Sequence, residues 1–150
     1  MIPSILLSAL CASATGGDPV STQTASVSWY EGSFEQALAD AEKEQKSIFL
    51  YCWSQDSKSC AEFQESTMVD EASVAAMNDY LCVGANVAAS EGRALIDQYG
   101  VQTLPTMLVM RPDGKADDAI LGMIDPAGFV HEMQRIDRGE GTVTALAAAV

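Results

Sequence analysis

Basic residues are scarce in this chain. Eight lysines and arginines stand against 21 aspartates and glutamates, a formal charge of −13 over 150 residues. That balance repels phosphate backbones and anionic lipid headgroups, so nucleic acid is not an expected partner. The acids read most simply as a solubilising surface. Histidine is almost missing too. His131 is the single one, with no cysteine or carboxylate at ligand spacing that faces the same way, so neither a metal site nor a serine–histidine triad is expected. No glycine-rich phosphate loop or pair of catalytic carboxylates is present, and no cofactor is implied. No apolar run approaches the roughly 20 residues that a helix needs to cross a bilayer, so no membrane span is expected.

Cysteine is sparse and its count is informative. Four are present, Cys11, Cys52, Cys60 and Cys82. Cys11 lies in a short apolar segment, Ile5 to Ala12, followed by the small-x-small pattern Ala12-Ser13-Ala14. This reads as a signal peptide over 1–14, and hence as export to a periplasmic or secreted location. It is atypical in lacking a basic stretch over Met1 to Ser4. Leu10 before Cys11 does not fit a lipidation motif. Removal of the leader leaves three cysteines, an odd number that argues against a disulfide framework. Cys52 and Cys82 are expected at opposite ends of neighbouring strands, on the order of 15 Å apart at 3.3 Å per residue, beyond bridging reach.

Residues 15–26, rich in Gly, Ser and Thr and without apolar periodicity, read as a linker. A domain is expected over 27–138, followed by a small-residue tail over 139–150. Ser33 with Gln36 forms a capping box ahead of Phe34, Ala37, Leu38 and Ala41 on one helical face. Ser47 to Trp53 is an unbroken apolar run, as in a strand covered on both faces. A helix follows, starting between Ser57 and Ser59, with Ser59 and Glu62 as a second capping box and Cys60 and Phe63 facing inward. Val74 and Met77 mark a further helix over Asp70 to Asp79, Tyr80 to Val87 a strand, and Ser90 to Tyr99 a helix closed by Gly100. Thr106 to Met110 and Ala119 to Met123 read as strands flanking the turn Arg111 to Lys115, with Asp117-Asp118 on a solvated edge. Asp125 and Pro126 open a last helix to about Arg138. The methionines from Met68 to Met133 read as core filling. The order of elements predicts an α/β fold, a central mixed sheet with helices on both faces.

Two segments far apart carry a resemblance. Ile48-Phe49-Leu50-Tyr51-Cys52-Trp53-Ser54-Gln55-Asp56-Ser57-Lys58-Ser59-Cys60 and Tyr99-Gly100-Val101-Gln102-Thr103-Leu104-Pro105-Thr106 resemble the central strand, active-site turn and substrate-binding loop of the thioredoxin superfamily, over about Trp29 to Arg138. The resemblance implies a thioredoxin-like fold, with Trp53 at the family's first tryptophan and Cys60 at its second active-site cysteine. It also implies a cis proline at Pro105, with Leu104 offering backbone groups to an extended protein or peptide segment, a form of sheet augmentation. Proline is the residue that adopts a cis bond most cheaply.

The departures bear on chemistry. Ser57 stands where the family has its nucleophilic cysteine, leaving an SxxC motif without the attacking thiolate. Asp56 replaces an aromatic residue, and its carboxylate would raise the pKa of a nearby thiol. Tyr51 stands where the family often buries an acid. Ser57 and Ser59 are well explained as helix caps alone. Cys60 reads either as a core thiol or as a lone reactive one, with Lys58 available to favour a thiolate. Peroxidases of the superfamily share the Ser57–Cys60 spacing, but the proline they place four residues before that serine is Trp53 here. Arg93 and Arg111 are the candidate thiolate stabilisers. Two functions follow as expectations. One is a binding module whose groove, around Trp53, Asp56, Ser57, Lys58, Leu104 and Pro105, holds a partner without dithiol turnover. The other is a one-thiol redox protein acting through Cys60.

Overall fold

The structure is a computed structural model and describes residues 25–148. The expected leader and most of the expected linker, with Cys11, lie outside the described residues. Four strands form one sheet, β1 (Ile48–Trp53), β2 (Leu81–Asn86), β3 (Thr106–Met110) and β4 (Ala116–Leu121), in the order β2-β1-β3-β4. β1 pairs parallel with β2 and antiparallel with β3, and β3 pairs antiparallel with β4, so the sheet is mixed. Both central strands are apolar because both faces are covered. Ile48, Leu50 and Cys52 point to one side and Phe49 and Tyr51 to the other, as the two-residue period of a strand requires.

α1 (Phe34–Glu44) and α4 (Ser90–Gln98) cover the first face, through Phe34, Ala37 and Ala41 and through Leu95 and Ile96. α2 (Lys58–Ser66), α3 (Glu71–Asn78) and α5 (Pro126–Asp137) cover the second, through Phe63, Met77 and the set Phe129, Met133 and Ile136. The caps are local and follow the chemistry of the side chains. Ser33 and Gln36 close a capping box on α1, Asp70 accepts the Ser73 N–H at 2.9 Å, and Asp125 accepts the Gly128 N–H at 2.7 Å with Pro126 in the first turn. Gly100 follows α4 with φ +65°, a conformation glycine adopts without a Cβ penalty.

The structure differs from the sequence reading in several places. α2 is capped by Ser57, not Ser59, because its first helical residue is Lys58 and the Ser57 oxygen is the one that faces the Cys60 N–H. β4 begins at Ala116, three residues before the expected start. The turn closes tightly, with the Arg111 N–H bonded to the Lys115 carbonyl at 3.0 Å, and pairing resumes at once with Met110 opposite Ala116. Asp118 is not a solvated edge residue. Its side chain is 17% exposed and its Oδ2 lies 2.9 Å from Arg135 Nη1 of α5. Cys52 and Cys82 lie at opposite ends of neighbouring strands, as the sequence reading has them, with Cys82 opposite Phe49 and Cys52 three residues further on, and they also point to opposite faces of the sheet. Beyond Asp137 the chain continues through a buried Thr142 into α6 (Val143–Ala148), which lies against β4.

Candidate functional site

The site is built where β1 ends. Parallel pairing sets Trp53 opposite Asn86, and the antiparallel register with β3, Cys52 opposite Thr106, brings Pro105 alongside Trp53 on its other flank. The strand therefore delivers the turn 54–57 and the N-terminus of α2 directly beside the loop before β3. The Leu104–Pro105 peptide bond is cis. Pro105 is buried and its carbonyl accepts the Gly122 N–H at 2.8 Å, which fixes the loop to the end of β4. Leu104 is half-buried, its side chain packed against the core beneath α1 and α4. No turn or loop hydrogen bond among the described residues uses its N–H or its C=O.

Ser57 is half-buried and its Oγ accepts the Cys60 N–H at 3.3 Å. The hydroxyl is thus committed to one of the donors that a helix start leaves without a partner. Cys60, one turn into α2, is 0% exposed. It sits on the side of α2 that faces Tyr51, whose buried hydroxyl accepts the Gln64 amide N–H at 3.2 Å and touches the Cys60 thiol. Burial pushes the Tyr51 hydroxyl well above its ordinary range, so it stays protonated. A tyrosine in this position holds its proton at every physiological pH, where a buried carboxyl could exchange one.

The charged candidates stand outside this arrangement. Lys58 is 90% exposed and its ammonium lies 3.6 Å from Glu62, one turn along α2, so the charge points to solvent. Asp56 is exposed in the turn, with its N–H bonded to Ser54 Oγ at 3.2 Å. Arg93 is on α4, over the opposite face of the sheet, and Arg111 is at the far end of β3 from Pro105, joined to Asp113 at 3.0 Å. Neither arginine is brought to Cys60. The remaining described cysteines, Cys52 and Cys82, are free and buried, and burial pushes both thiols up to about 12. The Cys82 thiol donates to the Met77 carbonyl at 3.1 Å. Among the described residues no cluster of His, Cys, Asp or Glu could hold a metal ion, and no helix is long and apolar enough to cross a membrane.

Residues 34–136 match the thioredoxin-like domain family. The chain belongs to that family. The thioredoxin-like architecture is also that of solved structures. A thioredoxin from Thermus thermophilus superposes with a TM-score of 0.67 at 21% identity, covering 77% of this chain and 91% of that one. The DsbH oxidoreductase gives 0.61 at 17% identity over 81% and 92%. The oxidised C-terminal domain of DsbD from Neisseria meningitidis gives 0.56 at 24% over 67% and 90%. No curated protein matches the chain. Membership places the chain in the thioredoxin superfamily.

One part of the site escaped the sequence reading. On the α2 face, a pocket of about 520 Å³ opens between β2, the end of β1 and α2, and Trp29, Gln64, Met68, Gly84 and Asn86 join Tyr51 and Trp53 in its walls. The signal that could have found it is Gly84, a glycine in the interior of a strand, which often marks a close approach or a gap beside it.

Proposed function

We propose that this chain is an exported thioredoxin-like protein that holds an extended segment of a partner protein in the groove between Trp53 and Pro105, without dithiol turnover. One observation carries the reading. The residue in the position of the attacking cysteine is a serine whose hydroxyl caps α2, and the one thiol beside it, Cys60, is fully buried. Thiol–disulfide exchange needs an accessible thiolate to attack and a second thiol to resolve the mixed disulfide. What the site keeps is the binding half of that machinery, the loop at Leu104 with its backbone N–H and C=O open to an added strand and an aromatic residue beside it. Export rests on the leader-like segment 1–14. The partner is a peptide or protein segment, not a nucleic acid, given the charge of −13.

The test is a displayed library of extended peptides panned against the full chain. Selected peptides should shift the backbone amide signals of Leu104 and Trp53, and should lose at least about tenfold in affinity in Leu104→Pro, which removes the donor at the augmentation position, while Lys43→Gln, at an exposed position of α1 away from the groove, binds as the wild type does. Failure to select any peptide that touches Leu104 would sink the reading. Rapid modification of native Cys60 would replace it with one-thiol redox chemistry.

A further inference from the structure

The pocket beside Trp53 is a binding site in its own right. β2 follows the burial rule of a parallel strand except at its centre, where Gly84 is exposed although Val83 and Ala85 beside it are buried. Gly84 pairs with Tyr51 and lies on the α2 face. With no side chain there, and α2 set over β1, the sheet is open at that point. A Cβ built on Gly84 would meet only the Trp53 indole nitrogen, at 3.8 Å, which is ordinary contact. Steric need therefore does not explain the glycine, and its effect is to leave a volume of about 520 Å³ empty, within the usual range for small-molecule sites.

Three aromatic rings face that volume. The Tyr51 and Trp53 rings are stacked, 6° from parallel with centroids 6.3 Å apart, and Trp29 adds a third at 6.0 Å from Tyr51. Trp29 is 41% exposed, a large apolar ring left uncovered at the rim. The polar groups offer both kinds of hydrogen bond. Gln64 gives its amide N–H to Tyr51 and keeps its Oε1 as an acceptor, whereas Asn86 has its Oδ1 bonded to the Ala88 N–H at 2.9 Å and keeps its Nδ2 as a donor. No charged side chain lines the pocket among the described residues. Flat π-surfaces select a flat ligand, and an uncharged wall that offers both acceptors and donors selects a neutral one. We infer that this pocket binds a neutral small molecule with a planar, heteroaromatic ring system carrying a hydrogen-bond donor and acceptor, seated over Gly84 between Trp29 and Trp53. This site lies on the β2 side of Trp53, whereas the proposed peptide groove lies on the Pro105 side, so neither requires the other.

The only two tryptophans of the chain are Trp29 and Trp53, so both indole N–H signals in a nitrogen-15 spectrum report on this pocket. The full chain should be titrated with indole-3-acetamide, a neutral two-ring probe with a donor and an acceptor. Both indole signals should shift and saturate, with a Kd of about 1 mM. Cyclohexylacetamide, with a saturated ring, should bind at least about tenfold more weakly. Gly84→Leu fills the volume and should abolish the shifts. Trp29→Ala, a change at an exposed rim residue, should weaken binding about tenfold and guards against a Gly84 variant that does not fold. The inference is overturned if neither indole signal moves at 10 mM probe (about ten times that Kd), if both variants bind like the wild type, or if tetramethylammonium shifts the two signals as strongly as the ring probe, which would make the site a cation cage.

Discussion

Ser57 Oγ accepts the backbone N–H of Cys60 across 3.3 Å, so the residue at the position of the nucleophile holds the helix that carries the surviving thiol. The two residues interact through a hydrogen bond where a redox-active pair would interact through sulfur. Ser57→Ala should therefore cost about 1 kcal/mol of stability, the usual value of an N-cap, measured by urea unfolding, with no gain or loss in disulfide reduction.

Ser57→Cys restores two thiols one turn apart at the start of α2. This variant should form an internal disulfide with Cys60 and reduce insulin in the presence of dithiothreitol, whereas the wild type should do neither above background. Equal activity of the two proteins would show that the wild-type site already turns over.

Iodoacetamide should leave Cys60 unmodified in the native full chain from pH 5 to 9 and label it once denaturant is added, because the thiol is fully buried against Tyr51. Mass analysis of the peptide containing Cys60 reads the outcome directly. Labelling within minutes in native buffer would contradict the burial and the binding-module reading together.

Stability should fall at alkaline pH. Burial holds the Cys52 and Cys82 thiols neutral, up to about 12 against an ordinary value of 9.0, and Tyr80 is likewise pushed up to about 12. In the window between the ordinary and raised values the unfolded chain has released these protons and the folded chain has not. The folded state then binds more protons, and stability decreases as pH rises. The stabilising contribution is fully present below about pH 8.5 and is lost progressively above it. Urea midpoints taken from pH 7 to 10.5 should decline above pH 9, and the double variant Cys52→Ala, Cys82→Ala should show a shallower decline from a lower starting value.

Arg135 lies 2.9 Å from Asp118 and 3.0 Å from Glu132, with 24% of its side chain exposed. Arg135→Ala strands the Asp118 carboxylate in a largely buried position. It should destabilise by roughly 1–3 kcal/mol, and Asp118→Asn on that background should recover part of the loss, since a neutral amide is cheaper to bury than an unpaired charge.

The fold was legible where its causes are local. The capping box at Ser33, the Asp125-Pro126 start of α5, the glycine after α4 and the apolar runs of β1 and β3 all act within a few residues, and their elements appear where the pattern puts them. The start of β4 was not legible, because Ala116, Asp117 and Asp118 carry no strand signal of their own, and it is β3 that draws Ala116 and Asp118 into pairing, on either side of a bulge. The Asp118–Arg135 contact joins residues from different elements that share no short-range pattern. For the site, two motifs were enough to bring Trp53, Ser57, Cys60 and Pro105 together. The pocket was hidden since it depends on the absence of a side chain at Gly84, and its rim residue, Trp29, precedes every regular element among the described residues. Lys58 and the arginines could not be placed from sequence, because spacing does not say which way a long side chain points.

Trp29 also bridges Cys82, and the Tyr30 N–H bonds to the Cys82 carbonyl at 2.8 Å, on the flank of β2 that faces away from β1. The outer edge of β2 is thereby occupied, at Cys82, by the chain's own residues 29–30. A truncation that stops short of Trp29 keeps this cover, while one that removes Trp29 and Tyr30 bares backbone donors and acceptors to any other extended chain, including a second copy. The same few residues that shape a ligand rim thus act as the guard against self-association.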